Sequence, residues 1–225
     1  MTATAIVRPA DLAALIDHTI LKPDATADQV HRYCAEAIEH SLFAVCVNPV
    51  FVPLVAKALA GSAVATCSVI GFPFGAIATA SKVAEARWAV GEGAGEIDMV
   101  IHIGALKAAE HDAVRADIAA VKQACGTALL KVIIETCFLT EEEKRVACVL
   151  SKEAGADFVK TSTGFGSGGA TVADIKLMRK TVGQTMGVKA SGGVRDFAAA
   201  VAMVQAGASR IGTSNGVGIV TAVVP

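Results

Sequence analysis

The chain is poor in aromatic residues and in charge. Aromatics supply 4% of its 225 residues and Asp, Glu, Lys and Arg together 18%. So few large rings exclude a thin sandwich cored by aromatics and favour many short elements packed closely through small side chains. Twenty Lys and Arg against 21 Asp and Glu leave a net charge of −1, so no broad basic field exists to hold nucleic acid or an anionic membrane. Long apolar runs are missing too. The longest stretch without a charge or a histidine, residues 58–81, is broken by Gly61, Gly71, Pro73 and Gly75, unlike a membrane-spanning helix. The opening MTATAIVRPADL has no apolar core of the kind a secretory leader carries, so the expected location is the cytoplasm. Six cysteines form no CxxC pair, and the five histidines stand at no zinc spacing. Reduced core thiols and no metal are therefore expected. No GxGxxG follows an early strand, which weakens a dinucleotide-binding reading.

What is there is alanine, 44 residues of it, between short β-branched clusters. With 53% hydrophobic residues and a mean hydropathy of +0.55, a disordered chain is excluded. The clusters lie at 15–21, 43–47, 63–70, 96–103, 129–135, 157–162, 187–191 and 210–213. Short runs that are apolar on both faces predict buried parallel strands. Ala-rich amphipathic stretches separate them: Thr26–Ile38, Thr79–Gly91, a helix capped by Thr140 and closed at Ala154-Gly155, Thr171–Lys180 and Arg195–Ala206. No linker divides the chain, so one domain over residues 1–225 is expected, with a short N-terminal helical segment and a short C-terminal end. Lys131, Lys160 and Lys189 fall in successive clusters at intervals of 29 residues, close to one eighth of the chain. A (β/α)8 TIM barrel fits this α/β rhythm. An open doubly wound sheet is the alternative.

Catalytic residues of such barrels sit at the C-terminal ends of the strands. Asp98 in EIDMV, Lys131 and Glu135 in LLKVIIET, Lys160 in FVKTST and Lys189 in VKASGG are ionisable groups inside apolar strand runs, where charge is rare unless paired or functional. Two neighbouring ammonium groups in a dry pocket favour the neutral amine of one. A neutral amine attacks a carbonyl to form a Schiff base, and a nearby Asp moves protons directly or through water. From the residues alone, which lysine is the nucleophile stays open. Glycine-rich loops follow three late strands: 161–171 with Thr163 and Gly164, 190–195 with Gly192 and Gly193, and 211–218 with Gly212 and Ser214. Loops there commonly cradle phosphate.

The segments IDHTIL (16–21), VCVNP (45–49), VIGFPFG (69–75), EIDMVI (96–101), LKVIIET (130–136), FVKTSTGF (158–165), VKASGGVR (188–195) and RIGTSNG (210–216) resemble, in order, the deoxyribose-phosphate aldolase family. The resemblance implies a class I aldolase that needs no metal or cofactor. It implies reversible cleavage of 2-deoxy-D-ribose 5-phosphate to acetaldehyde and D-glyceraldehyde 3-phosphate. Its partners are then small phosphorylated sugars and aldehydes, not nucleic acid or membrane, and it implies a homodimer or homotetramer. By position, Lys160 matches the Schiff-base lysine, Lys189 the second lysine and Asp98 the acid/base aspartate. Asp17 is assigned either to a substrate hydroxyl or to holding a lysine. Lys131 and Glu135 are expected to pair, Lys131 also to contact the substrate, and Cys46 to line the pocket. His102 replaces an Asn found in many relatives and reads as a packing residue; Phe165 stands where some have a cation. The competing readings are another phosphate-binding barrel enzyme, such as an isomerase or a metal-dependent aldolase, and a non-catalytic sugar-phosphate-binding barrel.

Overall fold

The eight β-branched clusters become eight parallel strands in the computed structural model, which describes residues 8–223. Residues 1–7, on which the reading of the N-terminus largely rests, lie outside that range. The strands are β1 (Ile16–Ile20), β2 (Ala44–Val47), β3 (Ala65–Ile70), β4 (Glu96–Val100), β5 (Leu129–Ile133), β6 (Phe158–Lys160), β7 (Gly187–Ser191) and β8 (Arg210–Thr213). Each pairs with its sequence neighbours and β8 pairs with β1, closing the barrel in chain order. The helices between them are α1 (Ala27–Glu39), α2 (Val52–Ala58), α3 (Thr79–Gly91), α4 (Ile103–Lys107), α5 (His111–Cys125), α6 (Glu141–Glu153), α7 (Val172–Val182), α8 (Phe197–Gln205) and the short α9 (Gly216–Val220). A 3-10 turn over Pro9–Leu15 precedes β1. Among the described residues, no helix is long and apolar enough to cross a membrane.

Capping residues set the helix starts. Thr26 and Thr140 each form a capping box, with Gln29 and Glu143, satisfying amide groups that the first turn leaves open. Two starts differ from expectation. Asp196, not Arg195, caps α8 by accepting from the Ala199 amide at 2.8 Å. Thr79 does not cap α3; its hydroxyl donates to Asp117 Oδ1 on α5 at 2.7 Å. That bond belongs to a buried ion pair in which Lys82 Nζ lies 2.6 Å from Asp117 Oδ2 and donates to the Val100 carbonyl at 3.0 Å.

Strand outer faces and helix inner faces share one apolar core that includes Val45, Ile97, Val132, Val159, Val188 and Ile211. The barrel interior differs. Barrels of this class usually fill it with bulky branched side chains. Here an apolar cluster that includes Ala44, Cys46, Cys67 and Val69 fills the β2–β3 side. The remaining strands send charged side chains inward, and that asymmetry places the site.

Removing one partner of a buried ion pair leaves a bare charge, at a cost of about 3–5 kcal/mol. Lys82→Ala is expected to lose that much stability in urea unfolding. Lys82→Met with Asp117→Leu is expected to recover most of it; a double variant no more stable than Lys82→Ala would contradict the pairing.

Candidate active site

Strand register brings the charges together. Asp98 faces Lys131 across β4–β5, and Lys160 faces Lys189 across β6–β7. Asp98 is fully buried, and its two oxygens serve three lysines. Oδ1 accepts from Lys131 at 2.7 Å; Oδ2 accepts from Lys160 at 2.8 Å and from Lys189 at 2.7 Å. Lys189 also donates to Asp17 Oδ2. Lys131 reaches Glu96 Oε2 at 2.6 Å. Arg210 closes the base of the network, 2.8 Å from Asp17 and 2.9 Å from Glu96. Its guanidinium lies 3.5 Å from the Phe43 ring centroid, a cation–π contact that shields it from water.

The interior thus holds four cations, Lys131, Lys160, Lys189 and Arg210, against three carboxylates, Asp17, Glu96 and Asp98. Burial alone would push the Asp98 carboxyl up, but Lys131, Lys160 and Lys189 overrule it and hold it well below the usual carboxylate range. Asp17 behaves likewise. Burial opposes its charge, and Lys189, Lys131 and Arg210 bring it down to about 2. Lys189 and Lys131 move the other way: burial would lower them, and their carboxylate partners raise them. Both therefore rest as ammonium groups. Of the three lysines, Lys160 is the one that borders open space.

Above Lys160 lies a cavity of about 460 Å³. Thr163, Gly164, Ser191, Gly192, Gly193, Gly212 and Ser214 form one wall. The amides of Gly192, Gly193 and Ser214 find no acceptor among the described residues, so their N–H groups are free for an anion. Gly192 and Gly193 adopt φ of +82° and +80°, conformations that favour glycine. Gly212 is required for space. A Cβ there would stand 2.3 Å from Ser191 Oγ and 3.0 Å from Lys189 Cε. Lys22, Arg32, Tyr33 and Arg195 also line the cavity.

Three residues expected at the substrate lie deeper, and Asp17 takes its other assigned part, holding Lys189. Asp17, Lys131 and Cys46 are fully buried and lie beneath the cavity, not on its wall, because their strand positions are deeper than the loop ends. Lys131 and Glu135 do not pair. Lys131 points inward to Glu96 and Asp98, whereas Glu135 lies past the end of β5 with a φ of +54°. There it accepts from the Thr163 amide at 3.2 Å and from the Thr163 hydroxyl. That hydroxyl is thus already engaged, although Thr163 borders the cavity. His102 caps α4, its Nδ1 accepting from the Ala105 amide at 3.0 Å. Glu96 and Arg210 escaped the sequence reading. The available signal was strand alternation, since Glu96 shares a face with Asp98 and Arg210 with Gly212. Two acid–thiol groups, Cys46–Cys67–Asp98 and Asp17–Cys67–Glu96, are close enough to hold a metal. The Lys131 ammonium already sits among them, 3.4 Å from Cys67 Sγ. A larger open groove of about 570 Å³ between α5 and α6 is remote from this network.

The model of the DeoC/LacD family aldolases matches residues 12–221. The deoxyribose-phosphate aldolase of Brevibacillus brevis is 65% identical over 206 residues, covering 92% of this chain and 93% of the relative. That of Rhodospirillum rubrum is 64% identical over 211 residues, covering 94% and 89%. The tetrameric structure of deoxyribose phosphate aldolase from Aeropyrum pernix superposes with a TM-score of 0.88 at 35% identity, covering 94% of this chain and 90% of the other.

The depressed carboxyls give the fold a predictable acid response. Asp17 and Asp98 bind protons less readily folded than unfolded, so they stabilise the protein above the unfolded value of about 4. That contribution is lost as pH falls through 4 toward the folded value of about 2 for Asp17. Urea unfolding should show stability falling across this window. Asp17→Asn should be less stable by about 3–5 kcal/mol at pH 7 and should flatten the fall; wild-type stability at pH 7 would contradict the network.

Proposed function

The chain belongs to the DeoC/LacD family of aldolases, and from that premise we propose that it cleaves 2-deoxy-D-ribose 5-phosphate reversibly to acetaldehyde and D-glyceraldehyde 3-phosphate, with Lys160 as the Schiff-base nucleophile. The observation that carries this is one carboxylate oxygen shared between two lysines at the floor of a glycine-walled cavity.

In the cleavage direction, the neutral Lys160 amine attacks C1 of the open-chain sugar. Lys189 supplies the proton with which the carbinolamine hydroxyl leaves as water, and a protonated imine forms. The C3 hydroxyl returns a proton to the Lys189 amine and the C2–C3 bond breaks. Its electron pair flows to the imine nitrogen, giving an enamine and free D-glyceraldehyde 3-phosphate. Protonation at C2 and hydrolysis then release acetaldehyde and restore Lys160. Asp98 Oδ2 touches both amines, so it offers a one-atom path for a proton passing between Lys160 and Lys189. Asp98 also compensates the positive charge of the imine. Lys189, paired with Asp17 and Asp98 and beside Lys160 in the strand register, takes the part of proton donor. Asp17, Glu96, Lys131 and Arg210 keep the other charges fixed, so the site does not reorganise as charge moves.

The phosphate end rests on the free amides of Gly192, Gly193 and Ser214, with Lys22, Arg32 and Arg195 lining the same cavity. These cations offset Phe165, half exposed on the rim and packed edge-on to Phe72 at 5.4 Å. The six cysteines are free, which suits a cytoplasmic enzyme, and the tetrameric Aeropyrum pernix relative supports a homo-oligomer.

A coupled assay that reduces released acetaldehyde tests this reading. Wild-type enzyme should turn over 2-deoxyribose 5-phosphate and keep its rate in a chelator. Lys160→Leu should abolish turnover. Lys189→Leu should lower kcat by about 10²-fold or more and keep the wild-type circular dichroism spectrum. Chelator-sensitive turnover, or near-normal turnover in either variant, would reject the assignment.

A further inference from the structure

Tyr33 is the only tyrosine in the chain. It lies on α1, outside the charge network, and its surroundings fix it unusually well. Its ring stacks on His18 with centroids 4.1 Å apart and planes 16° from parallel. His18 Nε2 lies 2.8 Å from Glu36 Oε2. His18 Nδ1 is buried without a partner, against Gly216, where a Cβ would stand 2.9 Å from that nitrogen. These partners place the imidazole proton on Nε2, donating to Glu36. Burial lowers the His18 pKa against the pull of Glu36, so Tyr33 rests on a flat, neutral ring.

With the ring held, the Tyr33 hydroxyl donates to the Ser214 carbonyl at 3.3 Å. Ser214 belongs to the loop between β8 and α9, and this loop is tied to the β7 glycine loop on its other side. Thr213 Oγ1 donates to the Val194 carbonyl at 2.7 Å, and Asn215 Nδ2 to the Arg195 carbonyl at 2.8 Å. Arg32, Tyr33 and Ser214 line both the 460 Å³ cavity and a smaller one of about 300 Å³ behind it. They form a thin partition with open space at its back, and the Tyr33 hydroxyl bond is what ties the Ser214 peptide forward across it.

We propose that Tyr33 is a positioning residue for the phosphate end of the substrate: it holds Ser214, whose amide is free, at the height of the Gly192-Gly193 amides, and so sets the preference for phosphorylated over unphosphorylated substrates. This rests on the phosphate reading given above. Lys160 lies at the floor of this cavity and Lys189 beneath it, and neither bonds to the Tyr33 hydroxyl.

Tyr33→Phe keeps the ring stack and removes only the hydroxyl. The readout is the ratio of kcat/KM for 2-deoxyribose 5-phosphate to kcat/KM for 2-deoxyribose. Loss of one neutral hydrogen bond should lower that ratio about fivefold, through a higher KM for the phosphorylated sugar, and should weaken inhibition by inorganic phosphate by a similar factor. An equal loss on both sugars would show a general structural role and overturn the proposal, as would an unchanged ratio. If the wild-type enzyme itself shows no preference for the phosphorylated sugar, the phosphate reading falls, and this proposal with it.

Discussion

Asp98 Oδ2 lies 2.8 Å from one lysine nitrogen and 2.7 Å from another, and the rest of the interior follows from keeping that arrangement stable. A carboxylate among three ammonium groups in a dry barrel would be costly if any charge were unpaired. The lower layer prevents this. Glu96 engages Lys131 and Arg210, Asp17 engages Lys189 and Arg210, and two phenyl rings flank the guanidinium. The barrel gives up part of its apolar filling to build this layer. The continuous core between strands and helices makes up for that loss.

The arrangement also separates tasks by depth. Asp17, Glu96, Lys131 and Arg210 sit lowest, beneath the cavity wall. Lys160 is at the boundary, in contact with the network below and the cavity above. The glycine loops sit highest and offer backbone amides instead of side-chain charge. Tyr33 belongs to the upper layer only.

The strand positions and the closed α/β barrel were legible in the sequence because buried parallel strands leave short apolar runs that little else produces. Lys160, Lys189 and Asp98 were legible because charge inside such runs is conspicuous. Glu96 and Arg210 were harder. Each sits at the first residue of its strand, where a charge reads as an ordinary loop boundary. Only strand alternation reveals that they face inward. Depth was not legible at all. Asp17, Cys46 and Lys131 belong to the right strands, but cavity contact depends on how far along a strand a side chain lies relative to the mouth, and barrel shear sets that. The Lys131–Glu135 pair failed because the chain leaves the strand at Ile133 and carries Glu135 out of the interior. Tyr33 was invisible as a functional residue, since its hydrogen bond joins positions 181 residues apart.

The central claim is that this charge network leaves Lys160, and not Lys131 or Lys189, as the amine that attacks a carbonyl. Reduction with borohydride in the presence of acetaldehyde at neutral pH, followed by peptide mass mapping, tests it directly. The account predicts a single two-carbon addition on Lys160. Addition at Lys131 or Lys189 instead, or no addition at any of the three, would contradict it.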